Sequence, residues 1–143
     1  VILTGATGTG KSWLACALAV QACRHSLSVL YITATTLFDN IRLSQADASM
    51  LKLKQSLTRQ SLLVIDDLGM GGVPNDLAHI LLELLDMQLA AGSVIITSQY
   101  PHEAWHELFS DPTVADAILD RLIHGAYCFE LEGESMRKFK VRK

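Results

Sequence analysis

The sequence predicts an α/β protein in which five short strands form one parallel sheet between two layers of helices. Two observations carry this prediction: apolar runs and helical stretches alternate along the chain, and each run is continuous instead of alternating with polar residues. Continuous apolar runs are typical of parallel strands that are covered on both faces. A glycine-rich segment between the first run and the first helix places a ligand site at the carboxyl ends of the strands.

Each predicted strand is a run of four to six residues rich in Val, Ile, Leu or Tyr: Val1–Thr4, Ser28–Thr33, Leu62–Asp66, Ser93–Ser98 and Tyr127–Leu131. The helices predicted between them are Lys11–His25, Thr36–Gln45, Ala48–Thr58, Asn75–Ala91, Pro101–Phe109 and Thr113–His124. In the fourth of these, side chains at i, i+3 and i+4 spacing mark one buried face, namely Leu77, Ile80, Leu81, Leu84, Leu85 and Gln88. Gly92 then stands where a helix-terminating glycine is expected.

The length and composition indicate one domain with a substantial core, since half of the 143 residues are hydrophobic. The sequence shows no signal-peptide pattern, and its apolar runs fall well short of the ~20 residues of a membrane span. We therefore expect a cytoplasmic protein without a membrane partner. Cys16, Cys23 and Cys128 lie among apolar neighbours, and we expect them to be buried thiols that form no disulfide framework.

The charge of the chain is unevenly distributed. The net charge of −3 does not by itself indicate nucleic-acid binding. The last seven residues, however, contain five basic side chains and no acidic one: Arg137, Lys138, Lys140, Arg142 and Lys143. This segment is either a solvated tail or a set of phosphate contacts. We expect a domain over residues 1–136 and a basic tail over 137–143. Because the first residue is not Met and begins a strand at once, we also expect a longer protein whose N-terminal segment is absent here.

Residues 5–12 read GATGTGKS and match the phosphate-loop pattern GxxxxGK[ST] between a predicted strand and a predicted helix. Glycine allows backbone angles that turn successive amides toward phosphate oxygens, and the helix N-terminus adds partial positive charge. Lys11 is expected to reach the β- and γ-phosphates, and the Ser12 hydroxyl to bind Mg²⁺. The sequence therefore predicts a nucleoside triphosphate site formed by Gly5, Ala6, Thr7, Gly8, Thr9, Gly10, Lys11, Ser12 and Trp13.

Two carboxylates follow the third predicted strand, as a phosphate loop requires. Asp66, at the end of the apolar run, is expected to hold Mg²⁺ through water opposite Ser12. Asp67, the next residue, is placed to act as general base on the attacking water. A second carboxylate favours water as the phosphoryl acceptor over a small molecule, so the pair indicates hydrolysis.

Polar residues also end the fourth predicted strand, which in hydrolytic phosphate-loop proteins lies beside the first strand. There a polar side chain orients water near the γ-phosphate. Gln99 is the catalytic candidate here, and Thr97 and Ser98 are alternatives. The remaining interpretation is that these polar residues only begin the loop before Pro101.

The segment His102–His106 matches HExxH, a zinc-protease signature. That chemistry needs both histidines on a long helix with a third ligand downstream. Here the segment follows Pro101 in a short predicted helix, and the sequence offers no convincing third ligand. We instead expect Trp105 to pack in the core.

The blocks GATGTGKS, LLVIDDLG, VIITSQYP, FSDPTVADAILDRLIHGA and GESMR together resemble the IstB-type ATPases of the AAA+ superfamily, over nearly the whole chain. These proteins are similar to DnaC-type helicase loaders. The resemblance implies binding of ATP and Mg²⁺, a homo-oligomer that assembles on double-stranded DNA, and assistance to a transposase. It also implies the AAA+ core without a helical lid domain after residue 131.

The resemblance assigns Arg121, in the LDRL block, as an arginine finger that reaches the γ-phosphate of a neighbouring subunit. Arg137, in GESMR, would be either a nucleotide-sensing or a DNA-facing arginine. Two positions depart from the usual AAA+ pattern. Asp67 occupies a position that is usually Glu, and Gln99 occupies one that is usually Asn. The shorter acid implies slow hydrolysis.

Two other functions remain open at this point. A replicative helicase loader would share the same core and would act with a helicase instead of a transposase. A small-molecule kinase would share the phosphate loop, but Asp67 and Arg121 argue against it and the sequence shows no acceptor-site motif.

Overall fold

Within residues 1–141, which the computed structural model describes, five strands pair in parallel as one sheet of order β2-β3-β4-β1-β5. For residues 139–141 only the backbone is described. The predicted five-stranded parallel sheet is confirmed, and each strand boundary lies within one residue of its prediction. The strands are β1 (Ile2–Gly5), β2 (Val29–Thr33), β3 (Leu62–Asp66), β4 (Ser93–Ser98) and β5 (Cys128–Leu131).

Five α-helices and three 3₁₀ helices connect or follow the strands in this part of the chain. The α-helices are α1 (Lys11–Arg24), α2 (Ala34–Ala46), α3 (Met50–Thr58), α4 (Ala78–Ala91) and α5 (Pro112–Ile123). The 3₁₀ helices are Asn75–Leu77, His102–Leu108 and Met136–Val141. None of the described helices is long and apolar enough to cross a membrane.

Two predicted helices differ from the observed ones. The predicted helix over 75–91 begins with a 3₁₀ turn, and the predicted helix over 101–109 is entirely 3₁₀. Both segments are short and follow a proline, and short segments of this kind readily adopt the tighter 3₁₀ geometry. The buried face predicted for this segment is confirmed: Leu77, Leu81, Leu84, Leu85 and Gln88 are buried, and Ile80 is half-buried.

The two faces of the sheet are covered unequally. The larger core lies between the sheet and α2, α3, α4 and α5, and it includes the fully buried Trp105. Among the described elements, only α1 covers the opposite face, where Ala15 and Ala19 pack on Leu3, Val64 and Ile95. The protein therefore has the predicted three layers, with one layer formed by a single helix.

The expectation of buried cysteines is wrong, since Cys16, Cys23 and Cys128 are all exposed. Cys16 and Cys23 lie on the outer face of α1, which is apolar on every side, so composition did not indicate which face is buried. Cys128 lies in β5, the edge strand beside β1, whose side chains are largely exposed. The expectation that every strand is covered on both faces therefore fails for β5.

Gly92 ends α4 for a different reason from the one predicted. Its backbone is extended, with φ −159°, and not left-handed as in a glycine cap. A Cβ atom at this position would lie 2.7 Å from the Ser61 carbonyl oxygen and 2.9 Å from Gln88 Nε2. A glycine is needed here because the turn before β4 packs closely on the turn before β3.

Strand register brings the carboxyl ends of four strands, β1 to β4, together at one edge of the sheet. Thr4 of β1 pairs with Ser98 of β4, and Thr33 of β2 pairs with Asp66 of β3. Because β4 lies between β1 and β3, the loop after β1 faces the acidic residues after β3. The placement of β4 beside β1, expected for a hydrolytic phosphate-loop protein, is confirmed.

Candidate nucleotide and metal site

The loop between β1 and α1 has the backbone shape that phosphate binding requires. Gly5, Gly8 and Gly10 have φ values of 144°, 88° and 97°, which side chains with a Cβ rarely adopt. Gly10 is the N-cap of α1, so the loop leads directly into the positive end of the helix dipole. The Thr9 hydroxyl donates to the Ala6 carbonyl oxygen at 2.8 Å and closes the loop on itself.

Lys11 is the first residue of α1, and its side chain is only 5% exposed. Its Nζ donates to the Ala6 carbonyl oxygen at 2.8 Å, so the ammonium group folds back over the loop. Burial lowers the pKa of Lys11, while the negative charges of Asp67 and Asp66 act in the opposite direction. A triphosphate placed in this loop would supply further negative charge, which stabilises a buried ammonium group.

The Ser12 hydroxyl donates to Asp66 Oδ1 at 2.9 Å, which joins the end of the phosphate loop to the end of β3. The two residues are 54 positions apart in sequence. Hydroxyl and carboxylate oxygens are the ligands that Mg²⁺ prefers. The donor set therefore fits a magnesium ion at the point where the two motifs meet.

Asp66 is buried, and it accepts two further hydroxyl hydrogen bonds. Thr97 of β4 donates to its Oδ1 and Tyr31 of β2 donates to its Oδ2. A phenol is protonated at neutral pH and can donate, and burial, followed by the hydrogen bond to Asp66, raises the pKa of Tyr31 further. No sequence pattern pointed to Tyr31, because β2 reads as an ordinary apolar strand and only the sheet order places it beside β3.

Asp67 has a left-handed backbone with φ 57°, which is uncommon for a residue other than glycine. Its amide donates to the Thr97 hydroxyl at 2.9 Å, which fixes the turn. Burial, together with the neighbouring charge of Asp66, raises the pKa of Asp67, although Lys11 and Arg137 partly oppose this. A carboxyl group with a raised pKa is a better proton acceptor for general base catalysis near neutral pH.

The three polar candidates at the end of β4 have different surroundings. Thr97 and Ser98 are fully buried, and Ser98 Oγ donates to the Leu68 carbonyl oxygen at 2.7 Å. Gln99 is partly exposed, and its Oε1 accepts a hydrogen bond from the Thr7 hydroxyl at 3.1 Å. Of the three, Gln99 is therefore the side chain that lies against the phosphate loop.

The segment after β5 also packs on the phosphate loop. The Met136 amide donates to the Gly8 carbonyl oxygen at 2.8 Å, and a Cβ at Gly8 would overlap Ser135. Arg137 is close enough for its charge to act on both Lys11 and Asp67. No motif or spacing in the sequence predicts the contact of Ser135 with Gly8. Of the predicted basic tail, residues 142 and 143 lie outside the described part of the chain.

Two other predicted site residues have contrasting positions. Trp13, the last residue of the predicted loop set, is 75% exposed on α1. Arg121 lies near the end of α5 and forms an ion pair with Asp86 of α4. Its side chain lines a surface cavity of about 380 Å³ with Val1 and Ser93, at the edge where the strands begin. The structure therefore does not bring Arg121 to the phosphate loop of its own chain.

The HExxH residues are held apart by the 3₁₀ geometry of their helix. With three residues per turn, positions i and i+4 do not share a face. His106 pairs with Asp116, and His102 lies 3.3 Å from the carboxylate of its neighbour Glu103. Trp105 between them is buried and donates to the Tyr100 carbonyl oxygen at 3.0 Å, as expected for a core residue.

The sheet order and the loop between β1 and α1 define this chain as a phosphate-loop domain of the AAA+ type. The model of the IstB-like ATP binding protein family matches residues 1–143. The chain belongs to this family. It is 46% identical over 141 residues to an insertion sequence ATP-binding protein of Sinorhizobium fredii, and the match covers 99% of this chain and 58% of that relative.

Solved structures support the same fold. AMPPCP-bound DnaA from Aquifex aeolicus superposes with a TM-score of 0.78 at 18% identity, over 99% of this chain and 43% of that chain. The DnaC helicase loader gives a TM-score of 0.78 at 15% identity, over 92% of this chain and 77% of that chain. At these identities the likeness concerns the fold alone. This chain spans little more than half the length of its curated relative.

Proposed function

We propose that this domain binds ATP with Mg²⁺ at its phosphate loop and hydrolyses it to ADP and phosphate. The observation that carries the proposal is the 2.9 Å hydrogen bond between Ser12 and Asp66, which joins the two motifs at one oxygen-rich position. Bound Mg²⁺ would neutralise charge on the β- and γ-phosphates. The family name and the AMPPCP bound to a protein of the same fold support a nucleotide as the ligand.

In this proposal each side chain at the site has one task. Lys11, which donates to the Ala6 carbonyl oxygen, would turn to the β- and γ-phosphates, and Ser12 and Asp66 would hold the metal ion. Asp67 accepts a proton from water as the water oxygen attacks the γ-phosphorus and the bond to the β-phosphate oxygen breaks. Gln99, which already contacts the loop through Thr7, orients that water.

Completion of the site requires a second subunit. Arg121 lies at the edge of the sheet opposite the phosphate loop, so it serves a neighbour's γ-phosphate in this proposal. A finger supplied in trans contributes on the order of 10³–10⁵ in rate. Hydrolysis would then depend on assembly, and ATP bound between subunits would stabilise the oligomer.

We further propose that the full-length protein assembles on double-stranded DNA and assists a transposase. Support comes from the family and from a relative named as an insertion sequence protein. The alternative, a replicative helicase loader, is supported by the fold shared with DnaC. The charge balance of residues 1–136 is acidic, so DNA contacts of the described chain would have to come from local basic groups, such as Arg137 at the start of the tail.

Lys11→Ala in the full-length protein tests the nucleotide site. We expect loss of ATP binding, because the buried ammonium group is the main positive charge that the side chains offer to the phosphates. Isothermal titration with ATP and MgCl₂ measures this. Lys52→Ala, which removes an exposed lysine of α3, is the matched control and should bind like the parent. Retained affinity in Lys11→Ala would contradict the assignment of the loop.

Turnover measurements separate the candidate functions. A DNA-acting AAA+ ATPase should hydrolyse ATP faster with double-stranded DNA, and its rate per subunit should rise with protein concentration. A small-molecule kinase would respond to neither. Addition of the partner then separates the two remaining candidates, since a transposase helper should respond to its transposase and a loader to its replicative helicase.

A further inference from the structure

Within the described residues, three hydroxyl groups from three different elements donate to the carboxylate of Asp66. Ser12 belongs to the phosphate-loop motif, and Thr97 is the last but one residue of β4. The third donor, Tyr31, belongs to β2 and to neither motif. It has no task in the function proposed above.

The strand register explains how Tyr31 reaches the carboxylate. Tyr31 pairs with Val64, and Thr33 pairs with Asp66, so Tyr31 lies two residues upstream on the neighbouring strand. Side chains two residues apart on a strand point to the same face of the sheet. The phenol therefore extends along this face, past Val64, to the end of β3.

The distribution of donors over the two carboxylate oxygens is unequal. Ser12 and Thr97 both donate to Oδ1, and Tyr31 donates to Oδ2. When Ser12 turns to a metal ion, Thr97 and Tyr31 would remain, one on each oxygen. Two donors on opposite oxygens fix the plane of a carboxylate, whereas one donor leaves it free to rotate. Hydroxyl bonds to an ionised carboxylate are also among the stronger ones.

We propose that Tyr31 is a positioning residue that fixes the Asp66 carboxylate and thereby sets how strongly Mg²⁺ increases the affinity for ATP. This inference rests on the proposed ATP and Mg²⁺ site. Tyr31 touches neither the phosphates nor the reacting water in this scheme. It acts through Asp66. Its hydroxyl holds Oδ2, the oxygen that Ser12 does not contact, and so keeps the carboxylate oriented for the metal ion.

Tyr31→Phe in the full-length protein removes one oxygen atom and keeps the ring. The measurement is the ATP dissociation constant with MgCl₂ and with EDTA, by isothermal titration. The ratio of the two constants is the magnesium effect. We expect Tyr31→Phe to reduce it about 10-fold, the lower end of what loss of a ligand-orienting partner costs, because Tyr31 is 40% exposed and water can replace part of the bond. Affinity in EDTA should stay unchanged.

Tyr127→Phe is the control, since this hydroxyl is exposed beside the opposite edge strand and makes no hydrogen bond within the described chain. A second arm places Tyr31→Phe in an Asp66→Asn background, where it should have no further influence on the magnesium effect. An equal loss of affinity in MgCl₂ and EDTA would show a structural role and overturn the inference. An unchanged or larger magnesium effect would overturn it as well. If the parent shows no magnesium effect, the proposed site itself fails.

Discussion

Asp67 has a backbone conformation and a charge that both cost free energy. Its φ of 57° is unfavourable for a residue with a Cβ, although Asp and Asn tolerate it better than most. Burial and the negative charge of Asp66 raise its pKa, which means that the folded state disfavours its ionised form. Such costs are common at functional sites, where activity and stability oppose each other.

Asp67→Asn should therefore stabilise the protein while it abolishes turnover. We expect the midpoint of thermal unfolding at neutral pH to rise by about 2–4 °C, or about 1 kcal/mol for a domain of this size. Differential scanning calorimetry measures the rise, and a phosphate-release assay measures turnover. Asp39→Asn, at an exposed position of α2, is the control and should change neither.

The pH dependence of this gain has a definite sign. The pKa of Asp67 in the folded state lies above its ordinary value of 3.8, so the folded state binds the proton more tightly than the unfolded state. The destabilisation is absent below pH 3.8 and develops as the pH rises through the raised pKa. The advantage of Asp67→Asn should thus grow from acidic to neutral pH. A difference in stability that does not change with pH would show that the ionisation of Asp67 does not contribute, and that only the backbone conformation at this position does.

At the scale of elements, the two turns at the starting edge of the sheet pack tightly around Gly92. Gln88 of α4 donates to the Gln60 carbonyl oxygen at 3.1 Å and to the Ser93 carbonyl oxygen at 3.2 Å. These bonds tie the turn before β3 to the turn before β4. Since β3 and β4 carry Asp66 and Thr97 at their far ends, the packing here holds the strands that present the site.

Gly92→Ala should destabilise the fold, because the added Cβ would lie 2.7 Å from the Ser61 carbonyl oxygen. We expect a loss of about 1–3 kcal/mol, as for overpacking of a close contact. Urea unfolding followed by circular dichroism measures it. Ala90→Ser, at an exposed position of α4, is the comparison and should cost no more than about 0.5 kcal/mol. Equal stability of the two variants would show that the turns can move apart.

At the scale of the whole molecule, the phosphate loop and Arg121 lie at opposite ends of the strands of one sheet. The loop is at the edge formed by the carboxyl ends of the strands, and Arg121 is at the edge formed by their amino ends. The loop follows the end of β1, and Arg121 lies with Val1 and Ser93 where strands begin. A head-to-tail arrangement of identical subunits would bring the two edges together, and such heterologous contacts form rings or open helices. In the isolated chain Arg121 forms an ion pair with Asp86 of α4 at this edge.

Arg121→Ala should keep ATP binding near the parent value and lose the turnover that rises with protein concentration. Its stability should change little, because both partners of the Arg121–Asp86 pair are substantially exposed. Turnover at increasing protein concentration checks this. Arg121→Lys is the matched variant, and it should not restore the rate since an ammonium group lacks the forked donors of a guanidinium. Parent-like turnover in Arg121→Ala would exclude the finger.

The fold was predictable because its patterns are local. Continuous apolar runs gave all five strands within one residue, and the glycine-rich motif with the acid pair indicated which edge carries the site. The exposure of the three cysteines was not predictable, since α1 is apolar all round and the position of β5 at the sheet edge depends on strand order.

The sequence by itself determined the strands, the phosphate loop, the acid pair and, through their order, the family. These depend on spacing within short segments, where backbone geometry and side-chain type act together. Only the tertiary structure decided that Tyr31 bonds to Asp66, that Gln99, directly after β4, lies against the loop, and that Arg121 is remote from it. The reason is that these relations join residues far apart in sequence, and the order and register of the strands set which of them meet.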